Sequence, residues 1–136
     1  MLKDMYDFNL PASEQKTLPH CMQTVYFLWI MPKMENYEVF AQELESIKAI
    51  AREPGRPEFV PLIYITKAEE ALAAPFASGR PNIAKHFADM MDAHANKASL
   101  VYACGPSPLI AEMWDHAIQA TMKGRRVDFY HEVFNL

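Results

Sequence analysis

Apolar positions in this chain fall into short continuous runs separated by segments of helical period. The runs at Gln23–Ile30, Phe59–Thr66, Leu100–Ala103 and Val127–Phe134 are rich in β-branched and aromatic residues, and each predicts a strand. Between them the spacing changes to i, i+3, i+4. Val39, Phe40, Leu44, Ile47 and Ile50 form one stripe, with Glu38, Gln42, Glu45 and Lys48 turned to water. That helix should start near Glu35 or Asn36 and end at Pro54-Gly55-Arg56-Pro57. A second helix is expected from Pro81-Asn82 to about Ala95, packing through Ile83, Phe87, Met90 and Met91. A third follows Leu100–Ala103 and runs from Leu109 to Met122. Met1–Phe8 also reads as helical, and Pro11–Met22 as a surface loop. Lys67–Ala74 reads as weakly helical or inserted, and Pro75–Gly79 as a loop. Pro61 inside the second strand predicts an edge position or a bulge.

Strands joined by helical crossovers predict parallel pairing, hence an α/β chain. In open parallel sheets ligands collect at the carboxyl ends of strands. That draws attention to Leu100-Val101-Tyr102-Ala103-Cys104-Gly105-Pro106, an apolar strand, expected to be buried, that stops at a tight turn before a helix. A side chain is missing at Gly105, where a flat ligand could approach the backbone beside the Cys104 thiol.

Composition narrows the field. The 136 residues suit one domain, and 51% are hydrophobic, enough for a sizeable core. A net charge of −4 without a Lys/Arg cluster argues against nucleic acid. No apolar run approaches the ~18–20 residues that cross a bilayer. The two cysteines, Cys21 and Cys104, make no disulfide framework, and a reducing environment is expected. His20 and Cys21 lack a second pair at ligand spacing, so no metal is expected. Most of the nine methionines are read as core filler, with a Met-rich docking surface as the alternative.

Cys104-Gly105-Pro106 after an apolar strand, Gly79-Arg80-Pro81-Asn82 before it, and the closing Glu132-Val133-Phe134 resemble the NADPH-binding region of the NADPH oxidase and ferric reductase family. Val25–Ile30 leading to Tyr37-Glu38-Val39-Phe40 is similar to that family's aromatic strand and following helix. The resemblance implies a Rossmann-like, ferredoxin-reductase-like parallel sheet with helices on both faces. The family's first strand and Gly-rich phosphate loop are not in the sequence, so residues 1–136 read as one N-terminally incomplete NAD(P)H-binding domain.

Further expectations follow from that resemblance. The activity would be hydride delivery from NADPH to FAD, with electrons continuing through haem to ferric chelates or O₂. FAD would be held mainly by a domain outside this chain, and haem by membrane helices of the parent protein. Those two domains are the implied partners, and the location is the cytosolic face of a membrane, this piece itself being soluble. Two residues, Asn135-Leu136, follow the final aromatic, which is more similar to ferric reductases than to the oxidases.

A 2′-phosphate needs a fixed positive charge, and Arg80 matches the family's motif for it, flanked by Pro81 and Asn82. Lys33, past the aromatic strand, is the nearest counterpart of a second basic residue. Gly105, Pro106 and Ser107 open a helix whose N–H groups suit pyrophosphate, although Ser107 read alone serves equally as a helix cap. The resemblance places Cys104 beside the nicotinamide, shaping the hydride path rather than acting as a nucleophile. It gives Phe134 a stacking role on the flavin, with Glu132 nearby. The competing reading is a non-catalytic Rossmann-like nucleotide-binding or regulatory interaction domain.

In the family's sheet the absent strand would lie between Gln23–Ile30 and Leu100–Ala103. Its loss leaves two unpaired edges, so self-association of the isolated chain is expected first and direct closure of the gap second.

Overall fold

The computed structural model describes residues 22–134, and the expectations for Met1–Phe8, Pro11–Cys21 and Asn135-Leu136 fall outside them. The chain is α/β with parallel strands throughout, as in Rossmann-like folds. It divides after Arg80 into two compact units.

The first unit carries β1 (Thr24–Met31), α1 (Met34–Glu38), α2 (Ala41–Ala51), β2 (Glu58–Ile65) and β3 (Phe76–Ser78). β1 and β2 pair along their whole length from Thr24–Glu58 to Met31–Ile65, and β3 joins only at Ile63–Ile65. The core forms on one face of this sheet. Met31, Leu44, Ile63 and Ile65 are buried there, and Phe27, Trp29, Tyr37, Phe59 and Phe76 pack around them. Ile63 is wholly enclosed, a burial worth roughly 1.5–3 kcal/mol. Rings join the strands across the sheet, with Phe27 and Phe59 stacked at 6.0 Å.

Three expectations change here. The single helix is two, broken at Val39–Phe40. Asn36 Oδ1 accepts the Lys33 N–H at 3.2 Å and starts α1. Phe40 then leaves the helical region (φ −114°, ψ 4°) and sets its ring 5.3 Å from that of Trp29. Val39 is consequently exposed instead of belonging to the buried stripe. Next, the loop at Pro75–Gly79 contains β3, a strand too short to show a period.

Third, Pro61 lies in the middle strand of the sheet, not at its border. The reason it is tolerated is local. Glu58 donates its N–H to Gln23 of the β1 chain, and Ile63 donates to Pro75 on the other side. N–H groups alternate sides along a strand, so the donor that Pro61 lacks would face the β3 side, which β3 reaches only from Ile63 onward. Pro61 is a local edge within a central strand.

The second unit carries α3 (Ile83–Ala93), β4 (Ser99–Gly105), α4 (Ser107–Met122) and β5 (Val127–Val133). Asn82 caps α3, its side chain accepting the Lys85 N–H at 3.0 Å. β4 and β5 pair in register from Ser99–Val127 to Gly105–Val133. Phe87, Ala117 and Ala120 are buried together, with Met91, Met113, Val101, Val127 and Phe129 against them. β4 was expected to be buried, yet Leu100 and Tyr102 are exposed. Only its Val101–Ala103–Gly105 face meets the core. β1 and β4 belong to different sheets, so direct closure between them is not formed among the described residues.

Candidate functional site

The expected site residues gather at the carboxyl ends of strands, in one group on each unit. In the second unit β4 ends at Cys104-Gly105 and the chain enters α4 at once. Pro106 occupies the N-cap position with extended backbone (φ −68°, ψ 154°), and Ser107 is the first helical residue. Ser107 is therefore not the cap that the sequence allowed. Pro106 and Pro108 carry no N–H, while those of Leu109 and Ile110 turn back to the Pro106 carbonyl at 3.0 and 3.2 Å.

A Cβ built at Gly105 would stand 3.0 Å from Leu109 Cδ2, a tight contact that the end of the Leu109 side chain would have to relieve. The Gly105 backbone carbonyl accepts the Phe134 N–H at 3.1 Å, which holds the closing aromatic beside the turn.

Cys104 is exposed and in register with Glu132. On the same face the Tyr102 phenol hydrogen-bonds the Glu132 carboxylate, one diagonal step across the pair. That bond, then desolvation, then the nearby charges of Glu132 and Cys104 push Tyr102 up to about 12 from its ordinary 10.0. Tyr102 was missed in the sequence, because its meeting with Glu132 depends on the register of two strands far apart along the chain.

The opposite face of the same strands holds a different feature. Ser107, Ile110, Ala111, Trp114, Phe129, His131 and Val133 line an open, mainly apolar groove of about 230 Å³. Trp114 meets Phe129 edge-on at 5.2 Å, and Phe129 lies 5.8 Å from His131. Cys104 and Glu132 do not line it. The expected site is thus divided by its own sheet: thiol, phenol and carboxylate on one face, Ser107 and the aromatic groove on the other.

In the first unit Lys33 follows β1 and Arg80 follows β3, both exposed at the carboxyl edge of the sheet. Gly79 turns the chain into Arg80 with φ +84°, a conformation that side chains with a Cβ rarely adopt. Gly79-Arg80-Pro81-Asn82 runs across the division between the units. Asn82 Oδ1 is committed to α3, so only its NH₂ remains to serve a ligand.

No family model matches this chain, and no solved structure does. Among the described residues no cluster of His, Cys, Asp or Glu could hold a metal ion, and no helix is long and apolar enough to cross a membrane.

Proposed function

We propose that the chain is the NADPH-binding part of a membrane flavocytochrome oxidoreductase of the ferric reductase or NADPH oxidase type. The observation that carries this reading is the strand end at Cys104-Gly105, with Glu132 in register and Phe134 tied to the Gly105 carbonyl. A polarisable thiol, a carboxylate and a terminal aromatic meet where a parallel strand gives way to a long helix. That combination suits a flat redox ring better than a phosphate alone.

When bound, NADPH supplies a hydride and FAD, held by another domain, accepts it for onward transfer to ferric chelates or O₂. The chain's own residues bind and orient. Arg80 and Lys33 hold the 2′-phosphate, and Ser107 belongs to the helix start that suits a pyrophosphate. Pro81 sets the direction of the Arg80 segment, and the Asn82 NH₂ contributes a donor beside it. Cys104 limits how the nicotinamide can lie, and Phe134 covers the flavin until the nucleotide displaces it. Membrane association belongs to the parent protein's haem-bearing helices.

Calorimetric titration of the 136-residue chain with NADP⁺ and NAD⁺ tests the reading. NADP⁺ should bind more tightly, and Arg80→Ala should weaken it roughly tenfold to a hundredfold while sparing NAD⁺. Heat from neither nucleotide at millimolar concentration would reject nucleotide binding. Binding without flavin reduction, after the chain is joined to a flavin-binding domain, would leave the non-catalytic alternative. In that joined protein Cys104→Ala should slow flavin reduction at unchanged affinity. Phe134→Ala should tighten NADP⁺.

A further inference from the structure

Strand register in the first unit places a third cation beside the two already named. Met31 of β1 pairs with Ile65 of β2, and Ile65 pairs with Ser78 of β3. Two residues beyond each stand Lys33, Lys67 and Arg80. Just past the strand ends β2 turns, Ala68 donating its N–H to the Ile65 carbonyl at 3.3 Å, and backbone hydrogen bonds still tie the three turns to one another. Lys67 donates its N–H to the Pro32 carbonyl at 3.0 Å, and Gly79 donates to the Ile65 carbonyl at 3.0 Å. With neighbouring strands about 4.8 Å apart, the outer two backbones are roughly 10 Å apart and Lys67 sits between them.

All three residues are exposed, and none takes part in an ion pair among the described residues. Four other described cations are matched: Lys48 with Glu45, Arg56 with Glu53, Lys85 with Asp89 and Arg125 with Asp92. The acidic residues nearest in sequence to the three, Glu35, Glu69 and Glu70, are exposed and make no such pair with them. Three like charges in a row along one sheet edge repel each other, and a dianion between them removes that repulsion. One cation, or two on non-adjacent strands, would suit a singly charged phosphodiester as well. Three adjacent ones favour a terminal phosphate monoester, which carries close to two negative charges at neutral pH.

We infer that Lys67 is the central cation of a phosphate-monoester site formed with Lys33 and Arg80, and that it sets the preference for 2′-phosphorylated nucleotide. This rests on the proposed nucleotide binding and adds a residue that the motifs did not mark. In the sequence Lys67 opens a stretch without period, and only the pairing of β2 with both neighbours brings it into line.

The test is calorimetry on the 136-residue chain with adenosine 2′,5′-bisphosphate and with NAD⁺, which has no phosphate monoester. Lys67→Gln should weaken the bisphosphate roughly tenfold to a hundredfold and leave NAD⁺ within about threefold. Lys67→Arg should restore the bisphosphate. The salt dependence of bisphosphate binding should become shallower in Lys67→Gln, because one counter-charge is lost. Unchanged bisphosphate affinity in Lys67→Gln, beside a loss in Arg80→Ala, would overturn the inference and leave nucleotide binding standing. Equal loss for both ligands would also overturn it, since Lys67 would then set no preference. If the unaltered chain binds neither adenine nucleotide, the nucleotide reading falls, and inorganic pyrophosphate replaces them as probe. Pyrophosphate binding that needs Lys67 would then support the three-cation site, and binding that ignores Lys67, or none, would overturn it.

Discussion

The two units solve the same packing problem with different materials. In the first, a three-stranded sheet closes on large side chains: Met31, Leu44, Ile63 and Ile65 are almost without exposure, and rings fill the space around them. In the second, α4 buries Ile110, Ala117 and Ala120, and α3 adds Ile83 and Phe87. Small residues let backbones approach but bury little area. Several large apolar residues of the second unit face outward nonetheless. Leu100, Tyr102, Trp114, Ile118, Met122, Tyr130, Val133 and Phe134 are all substantially exposed, against Val39 and Phe40 in the first unit. A core made of large residues serves stability, whereas exposed aromatic and aliphatic side chains around a strand end contribute little to it. The group at Cys104 lies on the second kind of surface.

The largest effect expected from this contrast is at Ile63. Ile63→Ala should cost about 2–5 kcal/mol, because a wholly enclosed side chain leaves a cavity. Hydrogen exchange should show the loss of protection in β1 and β2. An equal loss in α4 and β5 would break the comparison, since the cores would then act as one.

Asn82→Ala comes next, at about 1 kcal/mol, from losing the cap bond to Lys85 at the start of α3. Denaturant unfolding measures it, and no change would mean that α3 holds through packing alone.

Tyr130→Glu should change stability by no more than about 0.5 kcal/mol, as expected of an exposed position. Its effect should appear in sedimentation. The unaltered chain is expected to self-associate at micromolar concentration, and the added charge should shift it towards monomer. A monomeric unaltered chain would show that the exposed side chains need no cover.

The smallest effect concerns a proton. Tyr102 should ionise near 12, visible in an ultraviolet titration differenced against Tyr102→Phe. Glu132→Gln should move it down towards 10.0, because the carboxylate is the principal cause of the rise. A phenol with a raised value favours its protonated form in the fold. This contribution is complete below pH 10 and disappears as pH rises through about 12. An unchanged midpoint in Glu132→Gln would remove the hydrogen bond from the account.

Legibility in the sequence followed the reach of each cause. The passage from β4 through Gly105-Pro106 into α4 could be read because every signal is local: an apolar run, a turn pair, then helical spacing. The cap at Asn82 was equally local. The break at Val39–Phe40 was hidden, because apolar spacing continues across it while Phe40 answers to Trp29 on another element. β3 is three residues long and exists only through pairing with Ile63–Ile65. In the candidate site, Cys104 and Glu132 were found from their motifs, but their shared face and the place of Tyr102 beside them required the β4–β5 register. The same limit applied to Lys67.

Pro61 bears on how the edge of β2 would receive another extended chain. A strand edge with all its donors intact is a template on which any extended chain can grow. Along β2, the stretch before Ile63 presents such an edge on the side that β3 leaves uncovered, and the ring of Pro61 deletes a donor from its middle. An incoming strand would lose a rung there and meet the ring as well. β4 carries no comparable proline: Ser99 donates towards β5, so the alternate N–H groups of Leu100, Tyr102 and Cys104 address the side where, among the described residues, their sheet has no further strand.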